Sequence, residues 1–230
     1  MVTIVPAILE KDVTAFEEKL KKVWGITKRV QMDIIDGKFA PVETVIPEIL
    51  LNIDTIVDFE GQLMVDKPEE WIERCAASGM TALYGHVEMM ADRAKFVADT
   101  EAAGMKAGLA FDIDTPLEGL EEMINNLDGV LLMSVKAGSQ GIQKFDERVL
   151  PKIKKVREMS EFVKIVVDGG LNVENIKKCL AAEWAQEIAE DELNKSFLGM
   201  EFAVGSDLLN ADNVEEELKK LESLGVDSML

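Results

Sequence analysis

Arg29-Val30-Gln31-Met32-Asp33-Ile34-Ile35-Asp36-Gly37-Lys38-Phe39 is an apolar run that closes on two acids and a glycine. Its β-branched and apolar residues read as a strand with no face left for water, which is the mark of a parallel sheet covered on both sides. Side chains alternate along a strand, so Gln31 and Asp33 share a side with Arg29 and Ile35. If that side is the interior of a closed sheet, both polar groups face its mouth. Asp36 falls in the turn before Gly37, where an acid commonly caps its own backbone.

The same kind of run recurs along the chain. Apolar, β-rich segments at 3–9, 29–35, 55–65, 81–87, 106–111, 129–135, 163–167 and 201–204 alternate with amphipathic helical stretches near 12–24, 43–51, 68–78, 90–103, 116–126, 146–159, 172–190 and 212–224. Thr115-Pro116 and Asn172 are helix-start signals, while Gly79 and Gly104 are stops. Eight strands, each followed by a helix, predict a single-domain (β/α)8 TIM barrel spanning residues 1–230. An open doubly wound sheet is the weaker alternative. One segment is out of proportion: residues 183–200 read as an insertion or extended helix before the last strand, with a dimer contact or lid as the sharper reading.

Composition narrows the partners. With 230 residues, 47% hydrophobic content and a formal charge of −19, the chain has ample core and would repel phosphate backbones, so nucleic acid is not expected. No apolar run approaches the roughly 20 residues that span a bilayer. The expectation is a cytoplasmic protein without a membrane segment. Cys75 and Cys179 lie in separate amphipathic stretches, lack metal or redox spacing, and read as buried thiols.

In a barrel of this type the chemistry sits where strands end. The polar residues closing the runs are Asp33 and Asp36, Gln62, His86 and Glu88, Ser134 and Lys136, Asp168, and Ser206 with Asp207. Glycines cluster after strands six, seven and eight as Gly138-Ser139-Gln140-Gly141, Gly169-Gly170 and Gly205-Ser206. Loops in those places bind phosphate through backbone N–H groups, which suits an acidic protein with a phosphorylated sugar ligand.

Pro6-Ala7-Ile8-Leu9, Met32 through Phe39, Gln62-Leu63-Met64-Val65, Met133-Ser134-Val135, Gln143-Lys144-Phe145, Val167-Asp168-Gly169-Gly170 and Gly205-Ser206 together resemble the ribulose-phosphate 3-epimerase family. The motifs run in that family's order over nearly the whole chain. The resemblance implies interconversion of ribulose 5-phosphate and xylulose 5-phosphate, with Asp33 and Asp168 moving a proton at C3. It also implies that Met64 and Met133 cap the site, and that a homo-oligomer is in play.

The family's two metal-binding histidines correspond to Gln31 and Gln62, and the single histidine, His86, falls elsewhere. Zinc prefers imidazole and thiolate, whereas a glutamine carbonyl is a neutral hard-oxygen donor. Cofactor expectations are therefore none, or a weakly held Mg2+ or Mn2+ on Asp33, Asp168, Gln31 and Gln62. Without a metal, the Gln31 and Gln62 amide N–H groups become the donors expected to face an enediolate, and one aspartate pKa should rise. His86 is expected behind the catalytic acids or against substrate. Lys136 is expected near phosphate, beside an acid, or solvated at the surface. The rival reading is a catalytically inactive phosphosugar-binding or structural barrel. A third group, resembling orotidine-phosphate decarboxylase, uses Asp-x-Lys-x-x-Asp, but Asp33-Ile34-Ile35-Asp36 has no interior lysine.

Overall fold

The computed structural model describes residues 2–139, 143–184 and 199–227. Eight parallel strands close in sequence order: β1 (Thr3–Ile8), β2 (Arg29–Ile35), β3 (Asp58–Met64), β4 (Ala82–His86), β5 (Lys106–Phe111), β6 (Gly129–Met133), β7 (Lys164–Asp168) and β8 (Glu201–Val204). β8 returns to β1 through the pairs Thr3↔Glu201 and Pro6↔Val204, which leaves the barrel without an edge. The expected (β/α)8 barrel is the fold.

Helices α1 (Val13–Val23), α2 (Ile72–Ala77), α3 (Arg93–Ala102), α4 (Val149–Met159), α5 (Val173–Trp184), α6 (Ser206–Leu209) and α7 (Val214–Asp227) supply the outer layer. Their starts follow from capping chemistry: Asp12 accepts from the Ala15 N–H, Asp92 from Lys95 and Asn172 from Asn175. Gly79 and Gly104 end their helices with φ of 82° and 83°, as their stop roles require.

Two expected helices are not α-helices. Between β2 and β3 only a 3-10 segment forms, Pro47–Asn52, and the 116–126 crossover is turns plus a 3-10 turn at Ile124–Asn126. Pro116 therefore opens no helix; the adjacent Gly119 at φ 77° favours a turn instead. Short α6 was not foreseen. Of the 183–200 segment, residues 185–198 lie outside the described residues, as does Gly141.

The core has two parts. A large one, with Phe16, Leu63, Phe96, Leu109, Ile153, Ile176 and Phe202, fills the space between strands and helices. A smaller one fills the barrel itself with Ala7, Ile35, Met64, Tyr84, Ala110, Leu131, Met133, Val166 and Ala203. Cys75 and Cys179 are buried in the large core, and burial pushes both thiols up to about 12, so neither is a ready nucleophile. At the N-terminal end of the barrel Arg29 grips Glu201 with two hydrogen bonds, 2.6 and 3.1 Å, and Glu60 with one of 2.7 Å. Lys164 completes this plug at 3.2 Å from Glu201. The interior is thus charged at the floor, apolar in the middle and polar at the mouth.

Candidate active site

The parity of β2 carries Arg29, Gln31 and Asp33 up one side of the barrel interior, and the β2–β3 register sets Asp33 beside Gln62. Gln31 and Gln62 are almost fully buried, and Asp33 and Asp168 retain 7% and 9% exposure at the base of the mouth. The Gln31 amide nitrogen donates within 2.9 Å of Asp33 Oδ1, 2.9 Å of Asp168 Oδ2 and 2.8 Å of Gln62 Oε1. Two hydrogens serve three acceptors there, so the four side chains form one cluster rather than two pairs.

Neighbouring residues hold the acids in place. Thr44 Oγ1 donates to the Asp33 carbonyl at 2.8 Å and accepts from the Ile35 N–H at 2.9 Å, pinning the end of β2. Ser134 binds the Asp168 carbonyl through both its N–H and its hydroxyl, at 2.7 and 3.0 Å. Asp36 caps the N–H groups of Lys38 and Phe39 and also accepts from Asp66, locking the β2 loop to the β3 loop. Its expected turn role holds.

Burial raises both acids above the ordinary carboxylate range. Asp33 is pushed well up by desolvation and then by the nearby Asp168 charge, with the Gln31 hydrogen bond opposing. Asp168 is pushed up to about 6, again first by desolvation and against the Gln31 bond. Two buried carboxyls this close titrate as a pair, and at neutral pH the arrangement favours one acid and one base.

Above them opens a cavity of about 970 Å3 lined by Asp33, Met64, Met133, Gly138, Asp168, Gly169, Gly170, Gly205 and Ser206. The glycines fit this wall for steric reasons at two points. Gly169, at φ 109°, has no space for a Cβ, which would meet Val135 Cγ2 at 2.4 Å, and a Cβ on Gly138 would strike Ala40 at 2.5 Å. Lys19, Gln143, Lys144 and Asn175 also line the cavity. Gln143 and Lys144 belong to a motif that carried the family resemblance but were given no site role, while Lys19 and Asn175 were passed over because each looks like a solvated helix residue. Asn175 Nδ2 donates to the Gly170 carbonyl at 2.8 Å and so steadies the β7 loop.

Three expected substrate contacts are placed differently. Gln31, Gln62 and His86 do not line the cavity; they lie beneath the carboxylates. The Gln62 amide bridges His86 Nε2, at 3.0 Å, and the centre, where its inner end lies 2.7 Å from Asp168 Oδ2 and 3.1 Å from Asp33 Oδ1. Lys136 is exposed, pairs with Asp112 and Asp114, and also lines the cavity.

A model of the ribulose-phosphate 3 epimerase family matches residues 3–189. The chain belongs to that family. The ribulose-phosphate 3-epimerase of Bacillus subtilis is 34% identical over 182 residues, 76% of this chain and 83% of the relative. That of Aquifex aeolicus is 28% identical over 97% of both chains. Among solved structures, KGPDC from Streptococcus mutans superposes with a TM-score of 0.66 at 12% identity over 97% of each chain. Phosphoribosyl anthranilate isomerase from Thermotoga maritima gives 0.58 at 15% identity, covering 99% of this chain and all of the other. At those identities the shared property is the barrel.

The epimerase-family metal is poorly matched by these donors. A divalent ion needs oxygen or imidazole lone pairs converging on one point, yet here the Gln31 NH2 group occupies the space between the two carboxylates. Among the described residues no group of three or more His, Cys, Asp and Glu side chains is placed to hold a metal. Nor is any described helix long and apolar enough to cross a membrane.

Proposed function

We propose that this barrel epimerises ribulose 5-phosphate and xylulose 5-phosphate, or a closely related ketose phosphate, by proton transfer between Asp33 and Asp168 without a bound metal. The observation carrying this reading is that both buried acids reach the same cavity, from β2 and β7, and share the Gln31 amide nitrogen. The ionised acid removes the C3 proton. The electron pair left behind forms the C2–C3 enediolate, with negative charge on the oxygen at C2. The protonated acid then delivers its proton to the opposite face of C3, inverting that centre and exchanging the roles of the two aspartates.

The Gln31 N–H groups sit beneath the cavity between the acids, where they stabilise whichever aspartate is ionised. Neutral donors stabilise developing oxyanion charge less than a divalent cation does, so turnover slower than in metal-bearing relatives follows. The phosphate fits the far wall, where Gly169, Gly170, Gly205 and Ser206 allow close backbone approach and Lys19 and Lys144 contribute positive charge. Met64 and Met133 cover the carbon skeleton between the two ends.

The test is conversion of ribulose 5-phosphate to xylulose 5-phosphate by purified, chelator-treated protein. Product formation above the uncatalysed rate supports the reading. Tight binding of ribulose 5-phosphate without product sinks it in favour of a binding barrel.

A further inference from the structure

Asp112 directly follows β5 and is only 2% exposed, yet the proton transfer described above makes no use of its carboxylate. Its backbone is fixed from both sides. The N–H donates to Glu88 Oε1 at 2.7 Å, and the carbonyl accepts from Lys152 Nζ of α4 at 2.7 Å and from the Thr115 N–H at 3.0 Å. The side chain is thereby aimed at the turn after β6. Its Oδ1 accepts from the Ala137 N–H at 2.9 Å and from the Ile113 N–H at 2.7 Å, while Oδ2 pairs with Lys136 Nζ at 2.5 Å. A carboxylate this deeply buried is costly unless donors compensate it, and here the donors come largely from that turn.

The turn needs this outside acceptor as much as the acid needs the donors. Ala137 is buried, and a buried N–H without a partner is destabilising. Within the turn itself, the bond from the Ser139 N–H to the Lys136 carbonyl is long, at 3.4 Å. The turn also touches both halves of the site. Val135 packs so closely on Gly169, the residue after Asp168, that no Cβ would fit there, and Gly138 sits equally close to Ala40 in the loop after β2. Val135, Lys136 and Gly138 all line the cavity. A shift of the turn therefore moves one cavity wall, whereas Asp33 and Asp168 keep their own anchors on Thr44 and Ser134.

We propose that Asp112 is a positioning residue for substrate binding: through the Ala137 N–H and the Lys136 ammonium it holds the turn after β6 in place as a wall of the cavity. Asp112 itself lies outside the cavity lining. The effect on turnover rests on the epimerase reading above, whereas the anchoring of the turn does not.

Two variants of the full chain separate the roles. Asp112→Ala removes the acceptor, and Asp112→Asn keeps an oxygen for the Ala137 N–H while removing the charge. On ribulose 5-phosphate, Asp112→Ala is expected to raise KM about tenfold with kcat within about twofold, on the scale of one lost buried hydrogen bond. Asp112→Asn is expected to keep both within about twofold of wild type. A merely structural role would lower the folded fraction, and so the apparent kcat, at unchanged KM; that pattern overturns the proposal, as does an Asn variant whose KM rises tenfold. Amide hydrogen exchange followed by NMR gives a readout independent of turnover. The Ala137 amide is expected to exchange slowly in the wild type and in Asp112→Asn, and at least tenfold faster in Asp112→Ala while the β5 and β6 amides keep their rates. Rapid exchange at Ala137 in the folded wild type overturns the anchoring whether or not the protein turns over and whether or not Asp112→Ala folds.

Discussion

Asp168 meets Gln31 through a single 2.9 Å hydrogen bond from an amide nitrogen. The same nitrogen reaches Asp33 at equal distance, so removing either acid leaves the other with the whole donor. Proton transfer needs both acids. Asp33→Asn and Asp168→Asn should each lower C3 epimerisation by roughly 10^2- to 10^4-fold, the usual contribution of a general acid or base. Near-normal rates in either variant, with an unchanged circular dichroism spectrum, would refute the assignment.

Stability should depend on pH with a definite sign. Burial raises the Asp168 carboxyl from 3.8 to about 6 and raises Asp33 as well. A raised folded-state pKa contributes stability that is fully present below the unfolded value and is lost as pH climbs through the folded one. Wild-type Tm should therefore fall between about pH 4 and pH 7, and Asp168→Asn should flatten that decline. Parallel curves for the two proteins would contradict the account.

The poor match between these donors and a divalent ion makes a binding prediction. Isothermal titration of the wild-type chain with Mn2+ or Zn2+ should show no saturable site at the barrel mouth, whereas the double variant Gln31→His, Gln62→His should acquire one. Four ligands, two imidazoles and two carboxylates, then converge where an amide now stands. Equal binding by both proteins would mean that the glutamines already serve as ligands.

At the opposite end of the barrel, Arg29 is the cation facing the nearly buried Glu60 and shares Glu201 with Lys164. Arg29→Met leaves buried carboxylate charge uncompensated and should destabilise the fold by about 3 kcal/mol in urea unfolding. Arg29 touches neither Asp33 nor Asp168, so the catalytic rate of the folded fraction should be little changed. A neutral effect on stability would show that the plug contributes only specificity.

Much of this was legible in the chain because its signals were local. The period of Arg29–Ile35 fixed which residues share a face, and the same alternation brought Gln31 and Asp33 together as expected. The 116–126 crossover misled because apolar spacing there fits a helix, while Gly119 with a positive φ turns the chain instead. The line from Gln62 through His86 to Glu88 had no trace in the sequence, because His86 and Glu88 reach it across strands from 24 and 26 residues away, a relation only the register of β3 with β4 creates. Thr44 and Asn175 were silent for a similar reason: each acts through a backbone carbonyl that only the folded loops bring near.

The central claim, two-aspartate proton transfer without a metal, meets its most direct test in exchange of the C3 proton of ribulose 5-phosphate with deuterated water. Chelator and added Mn2+ provide the two comparison arms. Deuterium should enter C3 at the same rate in all three conditions. Exchange that appears only with Mn2+, or no exchange at all beside measurable binding of the sugar phosphate, would contradict it.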